Sequence, residues 1–358
     1  MSGARDPGSA SEADAIPPPP GVAPRGRMNA VAFEYGARAT TDFLDTHRLS
    51  VRTPFQTRGW WRAWIREAAE AEGTTPVLIR MARTDRPTLV VGLQLHQDDS
   101  TTLLRPLSWP WADYHEVAEV GDGPPTGPEP DIGGLAEAID RCQREFGARL
   151  ELSNLIADGP LLRAMSELGA TLRPSETVFR LDLTDPEVVR RVSERRDMRR
   201  KRRRIGRLGK LRLTCADTSA QLAARLPTFI ELHTQQWGDR PDAVAPFDGG
   251  VVDRTFAAVA AEPSSTARLH ELWLDETLLA GWFGFWHDRT YYAYRAAYDL
   301  GHGRDSPGHL LTAAMVSELA AQGTDTFDLT RGAYAYKLEL PCSRAPTMTA
   351  SREQPCRA

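Results

Sequence analysis

The apolar positions in the first part of the chain predict helices and strands in alternation. The stretch GWWRAWI places its apolar residues at helical spacing. The runs VLIRMA and TLVVGLQL, separated by the turn residues TDRP, predict an antiparallel strand pair. A helix over about 131–146, the strand ARLELS, the short helix PLLRAMSELG and the strand TVFRLDL follow. We therefore expect a mixed α/β unit that ends near residue 183.

A second unit begins with an arginine-rich helix at Pro186, because proline is favoured at the first helical position. Two more helices precede three apolar segments, ARLHELWL, LLAGWFGFWH and TYYAYRAAY, which tight turns join into a predicted meander. A helix and the strand TFDLT come next. Because a strand, a helix and a strand follow in that order, we expect a parallel, right-handed crossover.

These patterns divide the chain into four parts. Residues 41–183 are predicted to form a first lobe, and residues 184–340 a second lobe that holds the main candidate site. Residues 1–40 and 341–358 are predicted to be disordered tails. Both tails are poor in large apolar side chains and in periodic patterns, so they bury too little surface to offset the entropy of ordering.

The composition excludes several classes of protein. With 41% hydrophobic and 26% charged residues, the chain is neither collagen-like nor wholly disordered. It has no apolar run of membrane-spanning length and no apolar signal core near residue 1, so we expect a cytoplasmic protein. The cysteines at 142, 215, 342 and 356 form no C-x-x-C pair, and no metalloprotease, P-loop or nucleophile-elbow motif is present, so we expect no metal cofactor.

The residues GRDSPGHLL open the helix of the predicted crossover. Ser306 suits the N-cap, Pro307 suits the first helical position, and Gly308 leaves backbone amides uncovered. Free N–H groups and the positive end of the helix dipole attract anions. We predict that Arg304, Ser306, Gly308 and His309 bind the phosphates of a cofactor here. A capped helix that follows a glycine turn and binds nothing is the alternative.

The order of a meander, a glycine-containing loop, a helix and a parallel strand resembles the GNAT acyltransferase superfamily. More closely, the chain resembles the two-lobed branch of that superfamily: the cellulose-biosynthesis-associated acetyltransferases and, more distantly, the Fem peptidoglycan aminoacyltransferases. The resemblance covers about residues 41–340. It rests on the arginine-rich helix and on the motifs ADYHE (112–116), LHTQQW (232–237), RDSPGHLL (304–311) and FDLTRGAYAYK (327–337).

The resemblance implies an α/β fold of tandem GNAT-like lobes, each a mixed, mostly antiparallel sheet flanked by helices. It implies an N-acyltransferase that moves an acyl group, acetyl in the first place, from acyl-CoA to an amine. The acceptor would be a small molecule or a precursor of the cell envelope or of a secondary metabolite. Acyl-CoA would enter where the sheet splays after the meander. The loop offers only GRDSPG where single-domain relatives carry a full pyrophosphate signature, so aminoacyl-tRNA, the Fem donor, stays open as an alternative.

The resemblance also assigns residues. Lys337 is the predicted catalytic cation that stabilises a developing oxyanion, with a plain surface lysine as the alternative. Arg331 is predicted to bind donor phosphate or to pair with Asp328. A base must also take a proton from the attacking amine, and the candidates are Asp113, His115, Glu116 and Asp328.

The remaining assignments concern the acceptor. Tyr114, His115 and Tyr334 are predicted to contact it. His233 shares a helical face with apolar residues and is predicted to lie in the core or in a groove wall. The aromatic cluster of the meander is predicted to be core, and its members are Trp282, Trp286, Tyr292 and Tyr294.

Charge is concentrated in one segment. Residues 194–212 hold eleven basic and two acidic side chains, a net charge of +9, so the rest of the chain carries −13 within a total of −4. The segment fits a solvated element of the family, a cradle for donor phosphates or an anionic acceptor, or a docking face for tRNA along Arg195–Arg212. A non-catalytic nucleic-acid-binding protein is the rival from another class.

Overall fold

Fourteen strands form one mixed sheet in the computed structural model, which describes residues 28–97, 101–122, 132–237, 247, 249–263 and 265–354. Helices pack against this sheet, so the predicted mixed α/β fold is confirmed. Within the described ranges, no helix is both long enough and apolar enough to cross a membrane.

The bounds of the elements are as follows. The strands are β1 (Met28–Tyr35), β2 (Leu49–Ser50), β3 (Thr74–Arg83), β4 (Arg86–Gln97), β5 (Thr102–Pro106), β6 (Ala118–Val120), β7 (Arg149–Ile156), β8 (Thr171–Asp182), β9 (Leu211–Ala216), β10 (Ala267–Leu274), β11 (Thr277–His287), β12 (Thr290–Tyr298), β13 (Thr326–Arg331) and β14 (Ser343–Arg352). The α-helices are α1 (Gly36–Thr46), α2 (Arg58–Glu67), α3 (Leu135–Phe146), α4 (Pro160–Glu167), α5 (Pro186–Ser193), α6 (Arg196–Ile205), α7 (Ser219–Trp237), α8 (Val251–Ala261), α9 (Pro307–Ala321) and α10 (Ala335–Leu338). Short 3-10 helices span Pro54–Gln56 and Leu300–Asp305.

The same arrangement of elements occurs twice. In the first half, β3, β4 and β5 form an antiparallel meander, α3 follows, and β7 pairs in parallel with β5. In the second half, β10, β11 and β12 form the meander, α9 follows, and β13 pairs in parallel with β12. The predicted meander and the predicted parallel crossover are both confirmed, because their apolar periodicity and turn residues are local signals.

The halves exchange their last strands at the centre of the sheet. Strand β8 of the first half pairs with β13 of the second, and β14 of the second half pairs with β7 of the first. Strands β8 and β14 also pair with each other, so the order across the centre is β7, β14, β8, β13. The sheet and one hydrophobic core therefore run through both halves.

The predicted C-terminal tail is wrong over residues 343–352, which form β14. The segment SRAPTMTASR has few large apolar side chains, but the backbone of β14 is hydrogen-bonded on both sides, to β7 and to β8. Such pairing satisfies the backbone of a central strand without a strong side-chain signal. Residues 355–358 of the predicted tail lie outside the described residues.

The predicted N-terminal tail is wrong over residues 28–40. They form β1, which pairs with β3, and the start of α1, in which Thr40, Phe43 and Leu44 are buried. Strand β1 joins the meander at its edge, and α1 covers the same strand, β3. Residues 1–27 lie outside the described residues. The predicted boundary at residues 183 and 184 falls between β8 and α5 and stays a prediction.

Candidate active site

The sheet opens between β12 and β13. The two strands pair only over their first three residues, from Thr290 opposite Thr326 to Tyr292 opposite Asp328. Beyond that point, Ala293–Tyr298 and Leu329–Arg331 line opposite walls of a cleft. This cleft lies where the sheet was predicted to splay.

The outer part of the cleft is a cavity of about 460 Å³. Its floor and walls are largely aromatic, with Trp237, Trp282, Tyr298, Tyr334 and Tyr336 among its lining residues. Ser306, Gly308 and His309 line the same cavity at the first turn of α9. The outer cavity is therefore a mostly apolar channel with a helix N-terminus at one side.

Helix α9 begins where it was predicted to begin, but the side chain of Ser306 does not make the expected N-cap contact. The helix begins at Pro307, and Leu311, Met315 and Leu319 bury one face. Ser306 stands at the N-cap position with φ of +51°, and its side chain does not cap the helix. Instead, its Oγ accepts a hydrogen bond of 2.9 Å from Lys201 Nζ. The Lys201 ammonium is therefore fixed beside the free backbone amides of the first turn of α9.

Two other residues predicted for the phosphate site take different positions. The Arg304 side chain is exposed, and its carbonyl accepts a 2.6 Å hydrogen bond from Arg204. His309 is partly buried, with its ring centroid 6.4 Å from that of Tyr336. Burial and, less strongly, the nearby Lys201 lower the pKa of His309 and so favour its neutral imidazole.

Lys337 lies at the inner end of the cleft, in a polar cavity of about 150 Å³. Only 2% of its surface is exposed. Its Nζ donates hydrogen bonds to the carbonyl oxygens of Arg331, at 2.6 Å, and of Thr330, at 3.4 Å. Burial lowers the pKa of Lys337 to about 8, although Asp113 and Asp328 favour its charged form. The lysine is therefore not the plain surface residue that was the alternative.

The backbone next to Lys337 is irregular. The register between β13 and β8 shifts between Asp328 and Arg331, and Thr330 within this bulge has φ of +57°. A β-branched residue rarely adopts this left-handed conformation. The two carbonyls that accept from Lys337 belong to the bulge, so the irregular backbone and the buried ammonium occur together, as is common at functional sites.

Arg331 is held in a fixed position by acceptors from the first half. Its Nε bonds Asp113, its Nη1 donates to Glu176 at 3.0 Å, and its Nη2 donates to the Pro110 carbonyl at 2.5 Å. The predicted pairing with Asp328 does not occur, because Asp113 takes that place. All three nitrogens of the guanidinium are engaged, which argues against the predicted role in phosphate binding.

Asp328 is the centre of a buried cluster below the cleft. Tyr114 Oη donates to its carboxylate at 2.8 and 2.9 Å, and Arg180 Nε donates at 2.8 Å. The backbone amide of Thr330 donates to the same carboxylate at 2.7 Å. With 1% of its surface exposed and three donors around it, Asp328 stabilises the contact between the halves rather than facing a substrate.

The motif ADYHE is divided between cleft and core. Asp113 lines the inner cavity, but Tyr114, His115 and Glu116 are buried away from it. Desolvation lowers the pKa of His115 to about 3 and raises that of Glu116 to about 7. Glu116 accepts from the amides of Val117 and Leu161, at 2.8 Å each, and so holds the start of α4. Of the three predicted acceptor contacts, only Tyr334, which is 45% exposed, lines the cleft.

Several residues of the cleft were missed or expected in the core. His233 lies in the cleft wall, in agreement with the prediction, and burial lowers its pKa to about 3. Trp282 and Tyr294 belong to the core or pack against it, as predicted, and the same side chains also line the cleft. Glu176 lines the inner cavity and has no local motif that would have marked it.

Comparisons with known proteins agree with this geometry. Residues 192–338 match the model of the acetyltransferase (GNAT) domain. No curated protein matches the chain in sequence. The matched segment includes β12, α9, β13 and Lys337, so the cleft lies in the part of the chain that is similar to this domain.

Solved structures share the fold at low sequence identity. The structure of FemX has a TM-score of 0.56 and 11% identity, over 88% of this chain and 95% of that chain. The DUF2156 domain of an Agrobacterium fabrum protein has a TM-score of 0.54 and 14% identity, over 82% and 86%. A protein of unknown function from Bacteroides thetaiotaomicron has a TM-score of 0.51 and 10% identity, over 82% and 89%. These likenesses extend across both halves and show a common fold.

Proposed function

We propose that the protein is an N-acyltransferase that takes its acyl group from acyl-CoA. The observation that carries the proposal is the open cleft between β12 and β13, with the N-terminus of α9 at its outer part and the buried Lys337 at its inner end. The GNAT domain match over residues 192–338 supports the same class of reaction. The closer likeness to cellulose-biosynthesis-associated acetyltransferases and the choice of acetyl stay predictions.

The donor fits the cleft from the outside inwards. The pyrophosphate would lie at the first turn of α9, where uncovered amides and Lys201 supply positive charge. The pantetheine arm would follow the aromatic channel past Trp237 and Tyr334. The thioester would then reach the small polar cavity that contains Lys337.

Acyl transfer in this cavity needs charge stabilisation. The acceptor amine attacks the thioester carbonyl, a C–N bond forms, the C–S bond breaks, and CoA leaves as the thiolate. The Lys337 ammonium stabilises the oxyanion of the tetrahedral intermediate, in a desolvated position where such stabilisation is strong. The proton lost by the amine passes to a base and then to the thiolate or to water.

Glu176 is our candidate for that base. Asp113 and Asp328 are held in buried ion pairs, and His115 and Glu116 lie outside the cleft. Glu176 lines the inner cavity with 46% of its side chain exposed, and only its Oε1 accepts from Arg331. The second carboxylate oxygen is therefore available to the acceptor amine.

The test measures acyl-CoA binding by calorimetry and CoA thiol release with a panel of amines. Lys337→Ala should lower the turnover about 100-fold or more while acyl-CoA still binds. Glu176→Gln should lower the turnover while acyl-CoA still binds. Lys210→Ala is the matched control, because Lys210 is exposed and outside the cleft. Absence of acyl-CoA binding to the wild type would rule out the proposal.

Aminoacyl-tRNA is the second candidate donor. The FemX likeness and the arginine-rich α6 favour it. A tRNA phosphate backbone would have to follow α6 into the cleft, but the concavity along the arginines and the outer cavity share no lining residue. RNA that copurifies at low salt and supports transfer without acyl-CoA would establish this donor instead. A non-catalytic binder is excluded if Lys337→Ala abolishes a measurable turnover in a folded protein.

A further inference from the structure

The arginines of α6 and its flanks surround an open concavity of about 1100 Å³. We call this the arginine surface. Its lining residues are Arg195, Arg196, Asp197, Arg199, Arg200, Arg203, Arg204 and Arg207. The surface therefore presents seven guanidinium groups and a single carboxylate.

Most of this charge has no counterion in the described part of the chain. Arg195 pairs with Asp197, and Arg204 pairs with Asp305. The other five arginines of the surface form no ion pair with any described residue, and Arg199, Arg203 and Arg207 are exposed. Like charges at this density repel one another, so an anionic partner would stabilise the surface.

The arginine surface adjoins the cleft, because α6 contacts the loop that opens α9 and Arg195 shares a small cavity with His309 of the cleft wall. Lys201 and Arg204 contact the loop that opens α9, through Ser306 and Asp305. The apolar face of α6 packs inwards through Met198 and Ile205. No residue of the arginine surface lines the outer or the inner cavity of the cleft. The exposed arginines therefore lie outside the two cavities proposed for the donor.

Exposed leucines lie around the arginine surface. Leu208, 64% exposed, follows α6 in a turn in which its amide donates to Ile205. Leu300, 59% exposed, begins the 3-10 helix whose end is bonded to Arg204. Leu338, 47% exposed, belongs to α10, and the residues after it share a small cavity with Arg195. Three of the five exposed large apolar side chains in the described residues thus flank one basic helix.

We propose that the arginine surface docks onto a membrane that contains anionic phospholipids. Guanidinium forks bind phosphate in a bidentate manner, and basic clusters of this size bind anionic lipid surfaces. The flanking leucines would enter the interface between headgroups and acyl chains. RNA would neutralise the arginines equally well, but it gives the leucines no apolar environment, and no aromatic side chain lines the arginine surface for bases to stack on.

Docking in this way would place the cleft near the lipid. The loop bonded to α6 also opens α9, and Leu338 follows Tyr334 of the cleft wall by four residues. An acceptor or an acyl group carried by a lipid would then reach the cleft from the membrane. The docking itself does not depend on the proposed chemistry, so Lys337→Ala should bind vesicles like the wild type.

The test is cosedimentation of the full chain with vesicles. At low salt, the wild type should bind vesicles of phosphatidylglycerol and phosphatidylcholine, and not vesicles of phosphatidylcholine alone. The triple variant R199E/R203E/R207E should lose binding by about tenfold or more, and added salt should weaken wild-type binding. The variant L208S/L300S should weaken the binding that remains at high salt.

The control is R38E/R48E/R173E, which makes the same change of charge at exposed positions of the first half. It should bind vesicles like the wild type. The proposal is overturned if the wild type does not bind anionic vesicles, if both triple variants lose binding equally, or if RNA displaces the protein from vesicles at equal phosphate concentration. If R199E/R203E/R207E does not fold, the wild-type salt titration and L208S/L300S decide the question alone.

Discussion

The two halves of the molecule have the same kind of gap in the sheet, but different groups occupy it. Each has a meander, a helix and a parallel strand, and in each the parallel pair soon diverges. In the first half, β5 and β7 pair only at Leu103 opposite Arg149 and Leu104 opposite Leu150. In the second half, β12 and β13 pair over three residues. In the second half, this gap holds the two cavities of the cleft.

The first gap is filled by the chain itself. The segment after β5 runs along β7, with the His115 amide donating to the Asn154 carbonyl at 3.0 Å and Asn154 Nδ2 donating to the Ala112 carbonyl at 3.2 Å. The corresponding gap of the second half is lined by aromatic and charged side chains that leave a cavity. The topology creates a gap in both halves, and the connection after the meander decides which of them becomes a site.

Filling the second gap should have the largest effect. Ala296 lies on β12 in both cavities of the cleft and is partly exposed. Ala296→Trp would place an indole where the pantetheine arm is expected, so acyl-CoA should bind about 100-fold more weakly or not at all. Calorimetry measures the affinity, and Ala296→Ser is the control that leaves the channel open. Unchanged affinity in a folded Ala296→Trp variant would show that the donor binds elsewhere.

Removing the buried charge of Lys337 should have a smaller effect, and the quantity that changes is the free energy of unfolding. Below pH 8 Lys337 is charged in the folded protein, and the desolvation of this charge lowers the free energy of unfolding. Lys337→Met should therefore raise the free energy of unfolding at pH 7 by about 2 kcal/mol, while turnover is lost. Because the folded pKa of about 8 is below the ordinary value of 10.5, the unfolded chain binds more protons between these pH values.

The stability of the wild type should thus rise relative to Lys337→Met between pH 8 and 10.5. Denaturant titrations at pH 7, 9 and 10.5 measure the difference between the two proteins. A difference that does not change with pH would mean that the pKa of Lys337 is the same in the folded and the unfolded chain. It would contradict the desolvated position of the ammonium on which the strength of the proposed stabilisation depends.

The smallest effect is expected for a substitution in the first half, where the chain itself fills the gap. Tyr114→Phe removes the hydroxyl that donates to Asp328 but keeps the ring, so the free energy of unfolding should fall by about 1 kcal/mol. Turnover and KM should stay within about twofold of the wild type. Tyr334→Phe is the matched variant in the open half. A large loss of turnover in Tyr114→Phe alone would restore the predicted contact between Tyr114 and the acceptor.

The features that could be predicted from the sequence are those that depend on residues close together in the chain. The meander, the start of α9 at Pro307 and the buried face of that helix follow from periodicity and capping residues. The contacts of Asp328 and Arg331 do not, because their partners Tyr114 and Asp113 are more than two hundred residues away in the chain. Nor does β14, whose pairing uses the backbone and needs no apolar pattern. The resemblance located the cleft correctly, but it did not separate the residues that line it from those that support it.

The exchange of β8 and β14 has a consequence for folding during synthesis. Strand β7 has β5 on one side, but its other neighbour exists only when β14, the last strand of the described chain, has been made. Until then the first half carries an unpaired strand edge, which is prone to pair with other chains. Completion of β14 therefore covers an edge that is open in the nascent chain and absent from the finished molecule.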